Sequence, residues 1–228
     1  MNHKEAAARR ALEFVKSGMT LGLGSGSTTA YFVDMLGVKV SSGELTDIRA
    51  VPTSEATAER ALEWGIPLTN LGEYPNLDLA VDGADEVDPN LNLIKGLGRA
   101  ALREKIVESH AEQFVVIVDE SKLVPKLGRG PLPVEIVRFE HETHIHWLNT
   151  LGLGCTAKLW LEEDGSPAIT DNGNYLALCW FEEGIADAYE LAVTLSTHPG
   201  VIGHGLFLDI ADTIIIAGNE GIRIMERK

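Results

Sequence analysis

Strand-like and helix-like hydrophobic patterns alternate through the first half of this chain, and that alternation limits the fold more than any other feature. Short apolar runs at Thr20–Leu23, Asp47–Val51 and Leu77–Val81 are separated by helical spacing at Thr28–Leu36 and Glu55–Glu63, with a further helix at Lys4–Lys16. Parallel strands cannot be joined by a tight hairpin, so a helix must carry the chain back each time. The series therefore predicts a parallel sheet. A short strand near Pro67–Asn70, a helix from about Gly98 to Ala111 and a very apolar strand at Gln113–Val118 extend it. The last of these is expected to be buried on both faces.

After Lys122 the texture changes, because Gly128, Gly130, Pro131 and Pro133 interrupt any long element. Beyond them the pattern reads as strand Glu135–Phe139, helix Glu142–Leu151, strands Cys155–Leu161 and Tyr175–Phe181, helix Ile185–Ser196 and strand Val201–Phe207. That order is βαββαβ, the ferredoxin-like arrangement. A closing strand at Thr213–Ala217 is expected to rejoin the first sheet. The predicted fold class is α/β: a Rossmann-like parallel sheet domain formed by residues 1–130 plus 208–228, with an inserted ferredoxin-like α+β domain at 131–207. The 228 residues are enough to bury a substantial core without disulfide or metal staples.

A formal charge of −15 repels polyanions and argues against nucleic acid as a partner. It leaves room for a small phosphate, since a few amides and lysines at short range outweigh screened repulsion at long range. No apolar run approaches the ~20 residues that cross a bilayer, so no membrane partner is expected. The N-terminal segment reads as a charged amphipathic helix without the apolar stretch of a secretory signal, and the expected location is cytoplasmic. Cys155 and Cys179 show no metal-ligand spacing and are expected as buried free thiols.

Three segments could carry chemistry. Gly22-Leu23-Gly24-Ser25-Gly26-Ser27-Thr28 lies between a predicted strand and a predicted helix, where amides and hydroxyls can cradle a phosphate. It lacks the lysine of a Walker loop and the spacing of a dinucleotide fingerprint. A tight turn with Ser27 or Thr28 as N-cap is the alternative reading. The second segment starts at Asp82-Gly83-Ala84-Asp85, at a predicted strand's carboxyl end, where open α/β sheets place ligands; Asp-Gly is also ordinary turn chemistry. It continues to Lys95-Gly96-Leu97-Gly98, whose amides are expected to open a helix beside a cation and to stabilise an oxyanion. Glu104, about two turns into that helix, is a usable base if it faces inward and an ordinary solvated charge if it faces outward. The third comprises His141, His144 and His146, with Glu140 and Glu142 interleaved. Their spacing does not share one helical face, so a surface helix start is expected rather than a metal site. His3, His110, His198 and His204 are isolated in sequence.

Taken together, GLGSGSTT, the Thr53-Ser54 turn, DGADEVDPNLNLIKG, REKIV, VDESKLVPKLGRGPLPVEIV, TDNGN and HPGVIGHGLF resemble the ribose-5-phosphate isomerases of the A type, over nearly the whole chain. The resemblance implies reversible conversion of ribose 5-phosphate to ribulose 5-phosphate through an enediolate, in the pentose phosphate pathway, with no metal or organic cofactor. It implies a homodimer or homotetramer. It puts the general base on Glu104, paired acids on Asp82 and Asp85, and a catalytic lysine on Lys95. Phosphate and sugar contacts fall on Ser25, Gly26, Ser27, Thr28 and Lys122, with Lys4 a further phosphate partner. Gly83, Ala84, Gly96, Leu97 and Gly98 complete the expected substrate contacts. Leu97 departs from the family's usual run of glycines, so its backbone contact depends on its side chain turning away from the sugar. A non-catalytic sugar-phosphate sensor would need the cradle without the base, and a nucleotide-dependent oxidoreductase would need the absent fingerprint.

Overall fold

The computed structural model describes residues 2–152 and 154–227. In chain order its elements are α1 (His3–Ala11), β1 (Thr20–Leu23), α2 (Ser27–Ser41), β2 (Arg49–Pro52), α3 (Glu55–Glu63), β3 (Leu79–Asp82), β4 (Glu86–Val87), β5 (Leu93–Ile94), α4 (Ala101–Glu108), β6 (Phe114–Asp119), β7 (Leu132–Ile136), α5 (His141–Asn149), β8 (Cys155–Leu159), β9 (Tyr175–Phe181), α6 (Ala188–Thr197), β10 (Val201–His204), β11 (Leu206–Phe207), β12 (Thr213–Gly218) and β13 (Gly221–Glu226).

The first compact unit comprises Met1–Ala84, Arg103–Lys122 and Asp209–Lys228. Its sheet runs β13-β12-β6-β3-β1-β2, parallel throughout except for β13, which pairs antiparallel with β12. Counted within the unit, the parallel strands are ordered 2-1-3-4-5, the doubly wound order whose direction reverses between β1 and β3. Leu21, Leu23, Leu79, Val81, Val115 and Ile117 project from the central strands into a core shared with α1 and α2. Val107 of α4 packs with Val51 and Leu77 in a separate cluster. As expected from its composition, β6 is buried along all but its last residue.

The second unit comprises Asp85–Leu102 and Leu123–Leu208. Its larger sheet is antiparallel in the order β10-β7-β9-β8, which is 4-1-3-2 when counted within the sheet and matches the ferredoxin-like pattern. The expected division at 130 and 208 shifts, because β4 and β5 pair with β11 in a small third sheet and Val124 donates to the Val87 carbonyl. Those bonds bring Asp85–Leu102 into the second unit.

Several expected elements change for identifiable reasons. Pro67–Asn70 forms only a single bridge, Ala50 to Leu68, instead of a strand. Helix α2 runs five residues past Leu36, through a glycine that ordinarily signals a stop. Gly37 is there for packing, since a Cβ would stand 2.3 Å from the Trp64 ring. The helix expected from Gly98 begins three residues later. Among the described residues no helix is long and apolar enough to cross a membrane.

Candidate functional site

The carboxyl ends of β1 and β3 flank the point where the first unit's sheet reverses direction, and the chain leaves them as Gly24–Gly26 and as Asp82-Gly83. Asp82 is fully buried. Its Oδ1 accepts hydrogen bonds from the Gly83 amide at 2.6 Å, the Ser25 amide at 3.0 Å and the Thr29 hydroxyl at 2.9 Å. Three donors on one oxygen repay much of what burying a carboxylate costs. Gly24 permits that approach: a Cβ there would lie 1.9 Å from Asp82 Cγ.

The turn then enters α2 with Gly26 as N-cap and no side-chain capping bond, where Ser27 or Thr28 was the expected cap. Ser27 Oγ instead accepts from Lys4 Nζ at 2.7 Å. The opening amides of α2 thus point outward beside a lysine, an arrangement suited to an anion. Lys122 reaches the same neighbourhood by way of Asp119. Partial burial opposes ionisation of that carboxyl, but Ser121 hydrogen bonds and the charges of Lys122 and Lys4 hold it below the usual range. Asp119, which the sequence reading missed, thus feels the charge of both lysines. Its signal was the acid closing an apolar strand, as Asp82 closes β3.

Ser25 is committed within the protein. Its amide is bound to Asp82, and its hydroxyl bonds Ser54 Oγ at 2.7 Å and Thr53 Oγ1 at 2.8 Å. Gly26 and Ser27 are exposed and Thr28 half-buried.

Glu104 lies one turn into α4 and is 3% exposed, so of the two orientations left open by the sequence the inward one is realised. Next to it, burial pulls the Lys105 ammonium down to about 8, partly opposed by the nearby Glu108 carboxylate.

In the second unit, Lys95 follows β5 and is 2% exposed, with its Nζ 5.4 Å from the Phe207 ring centroid. Its amide donates to the Gly205 carbonyl at 2.9 Å. Asp85 is half-buried, and its Oδ2 accepts the Leu97 amide at 2.9 Å. Leu97 does turn its side chain outward, at 38% exposure, but its amide serves Asp85. Gly96–Gly98 is a turn separate from the helix, since the Arg99 amide bonds the Gly96 carbonyl and α4 starts at Ala101.

The histidine segment behaves as a surface helix start. His141 sits edge-on to Tyr175, while His144 Nδ1 lies 3.3 Å from His198 Nε2, and His198 stacks on Trp147. Among the described residues no group of three or more His, Cys, Asp or Glu could hold a metal ion. Cys155 and Cys179 are free thiols; Cys179 is buried and Cys155 half-buried.

A doubly wound sheet with a hydroxyl-rich turn, two lysines and a buried carboxylate at its point of reversal defines an α/β protein equipped to hold a small phosphorylated molecule. Comparison with known proteins narrows the class. Residues 49–221 match the family model of ribose 5-phosphate isomerase A (phosphoriboisomerase A). The chain is 48% identical over 225 residues to ribose-5-phosphate isomerase A of Roseiflexus castenholzii, covering 98% of this chain and 95% of the relative. It is 47% identical over 228 residues to a probable chloroplastic ribose-5-phosphate isomerase 3 of Arabidopsis thaliana, covering 98% and 83%. A solved D-ribose-5-phosphate isomerase in complex with phospho-erythronic acid is 44% identical and superposes with a TM-score of 0.95 over 100% of both chains. The chain belongs to the ribose 5-phosphate isomerase A family, and it is an isomerase.

Proposed function

We propose that the chain interconverts ribose 5-phosphate and ribulose 5-phosphate, a step of pentose phosphate metabolism, with Glu104 as the base that moves one proton between C2 and C1. Glu104 removes the C2 proton of the open aldose, and the electron pair forms the C1–C2 double bond of an enediolate as the carbonyl π pair moves onto O1. A proton passes from O2 to O1, and the O2 lone pair re-forms a carbonyl at C2 as the same carboxyl returns its proton to C1. Lys95 stabilises the charge that develops on the carbonyl oxygen, an interaction worth most where water is excluded. Asp82 and Asp85 bind sugar hydroxyls and assist opening of the furanose. The amides of Gly26, Ser27 and Thr28, with Lys4 and Lys122, take the phosphate, and that remote anchorage fixes the reacting end. Gly83, Ala84, Gly96, Leu97 and Gly98 line the sugar. Shifting one proton between adjacent carbons and one between their oxygens oxidises C2 at the expense of C1 within the same molecule and requires no metal or organic cofactor.

The observation that carries this reading is the burial of Glu104 in a chain of this family. The test is conversion of ribose 5-phosphate to ketose by the purified chain after dialysis against a chelator. Glu104→Gln is expected to keep its fold and lose at least ~100-fold in kcat, a typical general-base contribution. Near-normal kcat in that variant would remove Glu104 from the role.

The proposed assembly is a homodimer or homotetramer. Phe139 at 80%, Val193 at 65% and Trp180 at 39% exposure on the second unit support self-association through that unit. Light scattering on eluted protein checks it, and a monomer at micromolar concentration would reject it. A cytoplasmic location is proposed as well. Cell fractionation tests that.

A further inference from the structure

The turn at Gly24–Ser25 is held by an ordered line of four hydroxyls, all in the first unit. Thr57 Oγ1 lies 2.9 Å from the Gly24 carbonyl, Ser54 Oγ lies 3.0 Å from Thr57 Oγ1, Ser25 Oγ lies 2.7 Å from Ser54 Oγ, and Thr53 Oγ1 lies 2.8 Å from Ser25 Oγ. Each hydroxyl has one hydrogen to give, and a carbonyl can only accept. Ser25 Oγ also lies 3.3 Å from Thr57 Oγ1, but the shorter contacts set one direction for the line, starting from the carbonyl. Thr57 must donate to Gly24, so Ser54 must donate to Thr57, Ser25 to Ser54, and Thr53 to Ser25. Ser54 also caps α3 by accepting the Thr57 amide at 3.1 Å. Bonds aligned in one direction reinforce one another.

Ser25 joins this line to the carboxylate, because the residue whose hydroxyl sits in the chain also gives its amide to Asp82 Oδ1. From α2, Thr29 gives its hydroxyl to the same oxygen. Thr29 and Thr53 are essentially buried and Thr57 is 7% exposed. Apolar residues of similar shape would pack at such positions without the cost of burying polar atoms, so the hydroxyls need a reason to be there.

We propose that Thr29 and Thr57 are positioning residues for Asp82, Thr29 by direct donation and Thr57 through Ser25 and the Gly24 carbonyl. The inference rests on the reading of Asp82 as a catalytic acid. Thr57→Val keeps the shape of the side chain but cannot donate to Gly24, which leaves that carbonyl unbonded and allows the turn to shift. Displacement of a catalytic group by a fraction of an ångström to an ångström costs ~10- to 100-fold. Thr29→Val removes one of the three donors seen on Oδ1.

The experiment is a double-mutant cycle on kcat with ribose 5-phosphate, with thermal unfolding recorded for each variant. Thr57→Val and Thr29→Val are each expected to lower kcat ~10-fold in the native background, while Thr57→Ser and Thr29→Ser, which keep the donor, stay within ~2-fold. In an Asp82→Asn background the same valine substitutions are expected to cost less than ~2-fold further, because the group they position is already disabled. A full ~10-fold loss on top of Asp82→Asn would overturn the inference, as would a native-background loss below ~2-fold. Should Thr57→Val fail to fold, Thr29→Val runs the same cycle alone. The two levels of the reading separate cleanly: native kcat in Asp82→Asn rejects Asp82 as an acid, whereas an impaired Asp82→Asn with additive valine losses rejects only the positioning role.

Discussion

The chain contains two glycine-interrupted turns that look alike in sequence and do different things in the fold. Gly22–Thr28 runs straight from β1 into α2, so its last residues supply helix-opening amides at the sheet's point of reversal. Lys95–Gly98 follows β5 but ends in an independent turn, and the amide of Leu97 is spent on Asp85. The first turn offers backbone donors. The second offers one buried cation, Lys95, whose amide is tied to Gly205. A phosphate, with several oxygens to satisfy, suits an array of amides, whereas a single developing oxyanion suits one ammonium placed close by.

The largest effect that could break this comparison lies in the glycines themselves. Gly24→Ala is expected to cost ~3 kcal/mol or more, because a Cβ 1.9 Å from Asp82 Cγ must push apart a carboxylate with its three donors. Gly98→Ala meets nothing within 4 Å and is expected to stay within ~0.5 kcal/mol. Urea unfolding of both variants measures the difference. Equal costs would mean that the two turns are built to similar tolerance, and the contrast drawn here would fail.

What could be read from the sequence divides along the same line. The first turn was legible because its elements are local: the strand Thr20–Leu23 falls where its pattern puts it, and the helix expected from Thr28 starts one residue earlier, at Ser27. The second was not, because β4 and β5 are two residues long and gain their identity from Leu206–Phe207, more than a hundred positions away. Hydrophobic periodicity cannot report a pairing of that range. Family resemblance singled out Asp82, Lys95 and Glu104 for the proposed site, and all three are buried. The hydroxyl line was not readable, since Thr29 and Thr57 look like ordinary helix residues until the turn folds against them. Asp119 was missed for a similar reason, since Lys4, one of the two lysines whose charge it feels, lies far away in sequence.

The next prediction sharpens the contrast between cation and amides. Lys95→Met is expected to lower kcat ~100-fold or more while raising KM little, since an oxyanion donor acts mainly in the transition state. Lys122→Ala, in the first unit, is expected to do the reverse, raising KM ~10-fold with a smaller loss in kcat, because phosphate contacts are made in both states. Steady-state kinetics on the two variants suffices. Matching profiles would show that the lysines share one task, and the division of labour between the turns would be wrong.

The smallest expected effect concerns Leu97, where the chain departs from a run of glycines. Its side chain is 38% exposed and its amide already holds Asp85 at 2.9 Å, so what the position supplies is backbone. Leu97→Ala keeps that amide and the constraint on the main chain, and is expected to change kcat and KM by less than ~2-fold. Leu97→Gly keeps the amide but loosens the turn, because glycine samples backbone angles that leucine does not. Asp85 would then be held less firmly, and a loss of ~3-fold in kcat, larger than for alanine, is expected. If instead alanine and glycine are both as active as leucine, firmness at this turn does not matter to Asp85. If alanine is impaired as much as glycine, the leucine side chain itself touches the sugar, and the second turn acts through a side chain that its exposure had suggested was idle.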